Sequence, residues 1–158
     1  MHSYRTERIV RHSPAAMFDL VADVERYPEF VPLCDSLVVR SRAPAVDGIQ
    51  TLVATMMVGY GPVHESLTTR VRLDRANMRI TTSNVDGPFR HLENQWLFHH
   101  HPDGCRVAFS IEYAFRGFAL EALVGSVFDR AFRKFAQAFE ARADMVYRSP
   151  GGAPVTQT

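Results

Sequence analysis

From Cys34 onward the chain alternates apolar and polar residues in short runs, and before and after this stretch the period changes to that of a helix. The clearest alternation covers residues 105–116, where Cys105, Val107, Phe109, Ile111, Tyr113 and Phe115 share one face and Arg106, Ser110, Glu112 and Arg116 the other. A period of two with one wet face predicts a strand that is half buried in an antiparallel sheet. Further strands are expected over 34–43, 49–58, 63–73, 78–84 and 89–101. They are separated by Pro44 to Gly48, Gly59-Tyr60-Gly61-Pro62, Asp74 to Asn77, Asp86-Gly87-Pro88 and Pro102-Asp103-Gly104. These are turn residues at the short spacing of a meander.

Upstream, residues 4–11 read as a strand ended by Ser13-Pro14. Ser13 is placed to cap a helix and Pro14 to occupy its first position. The helix runs over Ala15 to Val24 with Met17, Phe18, Val21 and Val24 on one side. Residues 25–33 carry Pro28 and Pro32 and allow only a short, broken helical turn. Downstream, Leu120, Leu123, Val124, Val127, Phe128, Ala131, Phe132, Phe135, Phe139 and Val146 recur mostly at three- and four-residue intervals, which predicts one long helix from about Phe118 to Tyr147. Its apolar arc is wider than the ~100° stripe of an ordinary surface helix. Such a helix needs a concave partner, and a curved antiparallel sheet supplies one.

The order is therefore strand, two short helices, five or more strands and one long helix, an α+β layered architecture. Residues 1–148 form one domain, and the Gly/Pro/Ser/Thr-rich residues 149–158 are expected to be a disordered tail. A sheet gripping a helix leaves a gap wherever the two surfaces diverge. An apolar cavity of the kind that takes small molecules is then one outcome. A core filled by its own rings is the other, because interiors pack closely by default.

Composition narrows the function. In 158 residues there are 18 Lys+Arg and 17 Asp+Glu, a balance that argues against a dedicated nucleic-acid binder and against DNA in particular. The two cysteines, Cys34 and Cys105, form no CxxC pair and read as free thiols, although two thiols can pair if the fold brings them together. No run of about 18 apolar residues is present to span a membrane. The first residues hold no apolar leader core, so the chain is expected to be cytoplasmic, or mature after loss of a leader.

Catalytic signatures are few. There is no phosphate-binding glycine loop and no nucleophile elbow. His99, His100 and His101 invite a metal reading, but successive strand residues point to opposite faces and the run ends at a loop, so a solvated strand end is the better account. Glu65 shares parity with the apolar Val63, Leu67, Val71 and Leu73. It can orient a ligand, pair with an arginine, or sit at an exposed strand end, which is the usual place for a glutamate. With no metal ligand set and no catalytic set expected, the remaining candidates are apolar.

Two segments carry a resemblance. The runs DVERYPEFVPLC at 23–34 and GPFRHLENQWLF at 87–98 resemble the coenzyme Q-binding proteins of the START-domain superfamily, as well as the related bacterial ribosome-association toxins. The similarity spans roughly residues 3–147 and includes the order of elements. It implies a helix-grip fold, with a curved antiparallel sheet wrapped around the long C-terminal helix, and a tunnel beneath that helix. It also implies binding of ubiquinone or a similar polyprenyl quinone as ligand, with no separate cofactor. The role would be that of a quinone chaperone supporting ubiquinone biosynthesis and respiration.

On this reading the segment Tyr27, Pro28, Phe30, Val31 and Pro32 forms a lid, from which Tyr27, Phe30 and Val31 meet the ligand. The sheet contributes Met56, Leu67, Phe89, Leu92, Trp96, Phe98, Phe109 and Tyr113, and the long helix contributes Phe128, Phe132 and Phe135. The alternative for the lid is a plain connector, and for the sheet residues ordinary core. Expected partners are the quinone, respiratory or quinone-biosynthesis proteins, and the inner-membrane surface in passing contact. Two competitors remain. One is a ribosome- or protein-binding module using Arg70, Arg72, Arg106 and Arg116. The other is a cyclase or aromatase, for which Glu65, Tyr60 and Tyr113 are the candidate donors or acids.

Overall fold

The computed structural model describes residues 1–147, so the expected tail at 149–158 lies outside the described residues. The elements are β1 (His2–Val10), α1 (Pro14–Ala22), a 3-10 helix η1 (Val24–Glu29), β2 (Cys34–Val46), β3 (Ile49–Tyr60), β4 (Val63–Asp74), β5 (Arg79–Asp86), β6 (Phe89–His101), β7 (Gly104–Phe115) and α2 (Phe118–Tyr147). The seven strands form one antiparallel sheet in the order β1-β7-β6-β5-β4-β3-β2. A meander from β2 to β7 is closed at its far edge by the N-terminal strand. This is the helix-grip arrangement, with α2 against the inner face.

Local chemistry accounts for most boundaries. The Ser13 side chain accepts from the Ala16 N–H at 3.1 Å, and Pro14 takes the first helical position. The helix expected to reach Val24 stops at Ala22, and Asp23 opens η1 instead, because Pro28 removes the donor that a continuing helix would need. The strand expected to end at residue 43 runs through Pro44 to Val46, since Pro44 lies in a register shift where no ladder donor is required. The turn itself is Asp47-Gly48, both with positive φ, 54° and 79°, which suits a two-residue hairpin.

The inner sheet face and one side of α2 make the core. Cys105, Val107, Phe109, Ile111, Tyr113 and Phe115 are all buried, as their alternation requires. On α2 the buried set is Val124, Phe128, Ala131, Phe132, Ala136, Phe139 and Ala143. Leu123 and Val146, expected in the apolar stripe, are exposed instead. The sheet grips a narrower arc than the helix offers. The start of α1 is tied to the last turn of α2: His12, only 5% exposed, bonds Asp144 Oδ1 through Nε2 at 2.7 Å, and the Tyr147 hydroxyl donates to the Ala16 carbonyl at 3.0 Å. Cys34 and Cys105 are buried free thiols, and burial pushes both up to about 11.

Candidate functional site: an apolar cavity beneath α2

The long helix packs most closely on β7, β1 and α1. The other half of the sheet, β2 to β5, has no comparable contact with it, and a cavity lies between them. Its volume is about 90 Å³, and it is partly open to solvent. A single water needs roughly 10–15 Å³, so this is void and not loose packing.

Of the residues expected at a ligand, Tyr27, Met56, Leu67, Leu92, Trp96, Phe128, Phe132 and Phe135 line this cavity. Phe30, Val31, Phe89, Phe98, Phe109 and Tyr113 do not. The reason is position along the sheet rather than face. Phe89, Tyr113 and Phe115 form a ring cluster with Phe128 and Phe132, where α2 sits directly on the strands. Phe109 is held between Trp96, Tyr4 and Phe135. Phe98 stacks on Trp96 and meets Phe18 of α1 edge-on. Those rings fill the interior at the β1/β7 side, so both alternatives for this interior hold, each in its own half.

The segment expected as a lid forms one wall. Tyr27 lines the cavity, and its hydroxyl donates to the Val21 carbonyl at 2.5 Å. Burial raises its phenol far above the ordinary range. Phe30 packs outside the cavity, edge-on against Phe139 with centroids 5.0 Å apart, under the Arg142 guanidinium. Val31 is buried behind it and donates its N–H to the Tyr27 carbonyl. Glu29 bonds both Arg26 and Arg142, and these contacts hold its carboxyl below the usual range, Arg26 contributing most. The wall is thus pinned to α2. Pro32 and Leu33 complete it, and Leu33 takes a left-handed turn with φ 67° that a leucine adopts only under constraint.

Several lining residues were not anticipated. Leu37 on β2, Ala54 and Val58 on β3, Val71 on β4 and Ile111 on β7 simply share the inner face. More informative are Thr69, Thr82 and Asn94, polar side chains on an apolar wall. Asn94 was legible in the sequence, since it shares parity with Leu92 and Trp96.

A smaller pocket continues the space past Leu33, Val58 and Phe128 toward the β3–β4 hairpin and the first half of α2, and includes Glu65, Tyr60, Val63 and Val127. Glu65 is half buried there, between the exposed end and the core. Tyr60 in this pocket is 54% exposed, and in the first turns of α2 Phe118 is 93% and Leu123 65% exposed.

Outside the cavity, His101 Nδ1 accepts from the Asp103 N–H in the β6–β7 turn. The described residues that bring three possible metal donors together are instead His91, Glu93 and Glu112, on the outer sheet face. Tyr113 reaches Asp129 on α2 at 3.4 Å, and burial together with Asp129 pushes its phenol up to about 12. Arg70 and Arg72 are exposed on β4. Arg106 is paired with Glu7 at 3.1 Å, and Arg116 donates to the Gly87 carbonyl at 3.0 Å.

Comparison with known proteins bears on this geometry. Residues 10–140 match the family described as polyketide cyclase / dehydrase and lipid transport. A ribosome association toxin, RatA, of Rickettsia prowazekii is 30% identical over 151 residues, covering 94% of this chain and 100% of that protein. The mitochondrial coenzyme Q-binding protein COQ10 homolog B of Xenopus laevis is 29% identical over 149 residues, covering 91% of this chain and 59% of that one. Among solved structures, the Zhui aromatase/cyclase of a Streptomyces superposes with a TM-score of 0.75 over 96% of this chain and 100% of its own, at 17% identity, which establishes a shared fold.

Proposed function

The chain belongs to the polyketide cyclase/dehydrase and lipid-transport family, and from that premise we propose that it binds a polyprenyl quinone in the α2 cavity and carries it without chemical change. The observation that supports this best is the cavity itself. It is void, apolar and lined by Tyr27, Leu92, Trp96, Phe128 and Phe132 beneath a helix that stands off half its sheet. A prenyl tail gains ~0.8 kcal/mol for each CH₂ it buries and needs no directional contact. The similarity to COQ10 homolog B favours a quinone over other lipids. The carrier would work in the cytoplasm at the inner-membrane surface, handing its ligand to respiratory or quinone-biosynthesis proteins.

The test is organic extraction of protein purified from quinone-producing cells, followed by mass spectrometry. Polyprenyl quinone approaching one equivalent is expected. Ala131 faces the cavity from α2, and Ala131→Phe should fill the void, leave the protein folded and remove the lipid. An empty wild-type protein that also takes up no added quinone would refute the carrier reading.

A second reading, association with ribosomal particles, is favoured by the similarity to RatA and by the exposed Arg70 and Arg72 on the outer face of β4. Salt-sensitive co-sedimentation with ribosomal subunits, lost in an Arg70→Glu/Arg72→Glu variant, would support it.

A further inference from the structure

The cavity wall is apolar except where three adjacent strands each turn a polar side chain inward. Thr69 on β4 lies between Leu67 and Val71, Thr82 on β5 follows Ile80, and Asn94 on β6 lies between Leu92 and Trp96. The register pairs Thr82 directly with Asn94, and Thr82 with Val71 on its other side, which puts Thr69 on the diagonal. A polar group on such a wall is costly unless it is bonded. Asn94 satisfies half of its amide within the protein. Its Nδ2 donates to the Ser110 carbonyl at 2.9 Å. Because that partner can only accept, the nitrogen is fixed there and Oδ1 remains as an acceptor.

On the carrier reading, from which this inference follows, we propose that Thr69, Thr82 and Asn94 form a head-group subsite selecting ligands that bring a hydroxyl donor, such as an alkylated phenol or hydroquinone. The donor balance sets the preference. Threonine hydroxyls donate or accept and adapt to any head group. Asn94 Oδ1 accepts only. A quinone carbonyl or an aryl ether also accepts only, and offers Oδ1 no proton on this largely apolar wall. A ring hydroxyl donates to it. The ligand then sits with its ring on the β4–β6 wall and its chain running past Phe128 toward the opening beside Val127. The reduced form of a prenylated quinone, or a phenolic precursor of one, is the class that fits.

The probes are 4-octylphenol and its methyl ether, titrated into the full chain while the fluorescence of Trp96, the only tryptophan and a lining residue, is followed. The two share a chain and a ring, and the ether is the more apolar, so partition alone would favour it. The phenol is expected to bind about tenfold more tightly, roughly what one unpaired buried polar group costs. Asn94→Leu should erase the preference by weakening the phenol while the ether stays within about twofold. The wild-type ratio alone decides the matter should that variant not fold. Equal binding of both probes would overturn the subsite and leave the carrier reading intact. If neither probe binds, both are overturned.

Discussion

Tyr27 of η1 meets Phe139 of α2 edge to face, ring centroids 5.2 Å apart and planes at 78°. Residues 112 positions apart thereby close one wall of the cavity, and Trp96 of β6 approaches the same Phe139 ring at 4.9 Å. The contact joins helix, sheet and connector at one point, so it serves both stability and the shape of the void.

Removing that ring should be expensive. Phe139→Ala is expected to destabilise the protein by about 3–5 kcal/mol and to enlarge the cavity. Tyr27→Phe keeps the ring and loses only the hydroxyl bond to the Val21 carbonyl, a cost of about 1 kcal/mol. Urea midpoints of the two variants would check the ranking. Equal effects would mean that the hydroxyl, not the ring contact, anchors η1.

Exposed apolar side chains bear on ligand collection. Phe118 and Leu123 in the first turns of α2 and Tyr60 at the smaller pocket are exposed, and the hairpin tip Tyr60-Gly61-Pro62-Val63 carries no charge. The chain should therefore bind vesicles of zwitterionic phosphatidylcholine weakly and with little salt dependence. Phe118→Asp/Leu123→Asp should reduce flotation with vesicles at least about tenfold, given ~1.5–3 kcal/mol for burying each side chain. Undiminished flotation of the double variant would place membrane contact elsewhere.

Alkaline pH should unfold the protein through groups that are neutral when folded. Cys34 and Cys105 rise to about 11 and Tyr113 to about 12, all by burial first. A folded value above the unfolded one means that the contribution is complete below the unfolded value, ~9 for a thiol and ~10 for tyrosine, and is lost as pH climbs through 11 and 12. Urea midpoints should hence fall steadily above pH 9, and absorbance at 295 nm should show delayed tyrosine ionisation that becomes normal in denaturant. Flat midpoints from pH 9 to 11 would contradict the assigned burial.

Sequence by itself determined the elements and their faces. Ser13-Pro14 announced α1, Asp47-Gly48 a hairpin, and the alternation from Cys105 to Phe115 an inward row, because caps, turns and strand parity are set by neighbouring residues. Asn94 was not singled out, although it shares the parity of Leu92 and Trp96. Parity could not give depth. Phe109 and Trp96 share one inner face across paired strands, yet only Trp96 reaches the void. Leu123 and Val124 are adjacent on α2, yet only Val124 is buried. Which half of an inner face is filled and which is hollow depends on where α2 leaves the curved sheet. That separation is fixed by contacts such as His12 with Asp144 and Tyr27 with Phe139, which link parts of the chain more than a hundred residues apart. Local pattern carries no information about such distances, so the cavity was decided by the tertiary structure alone.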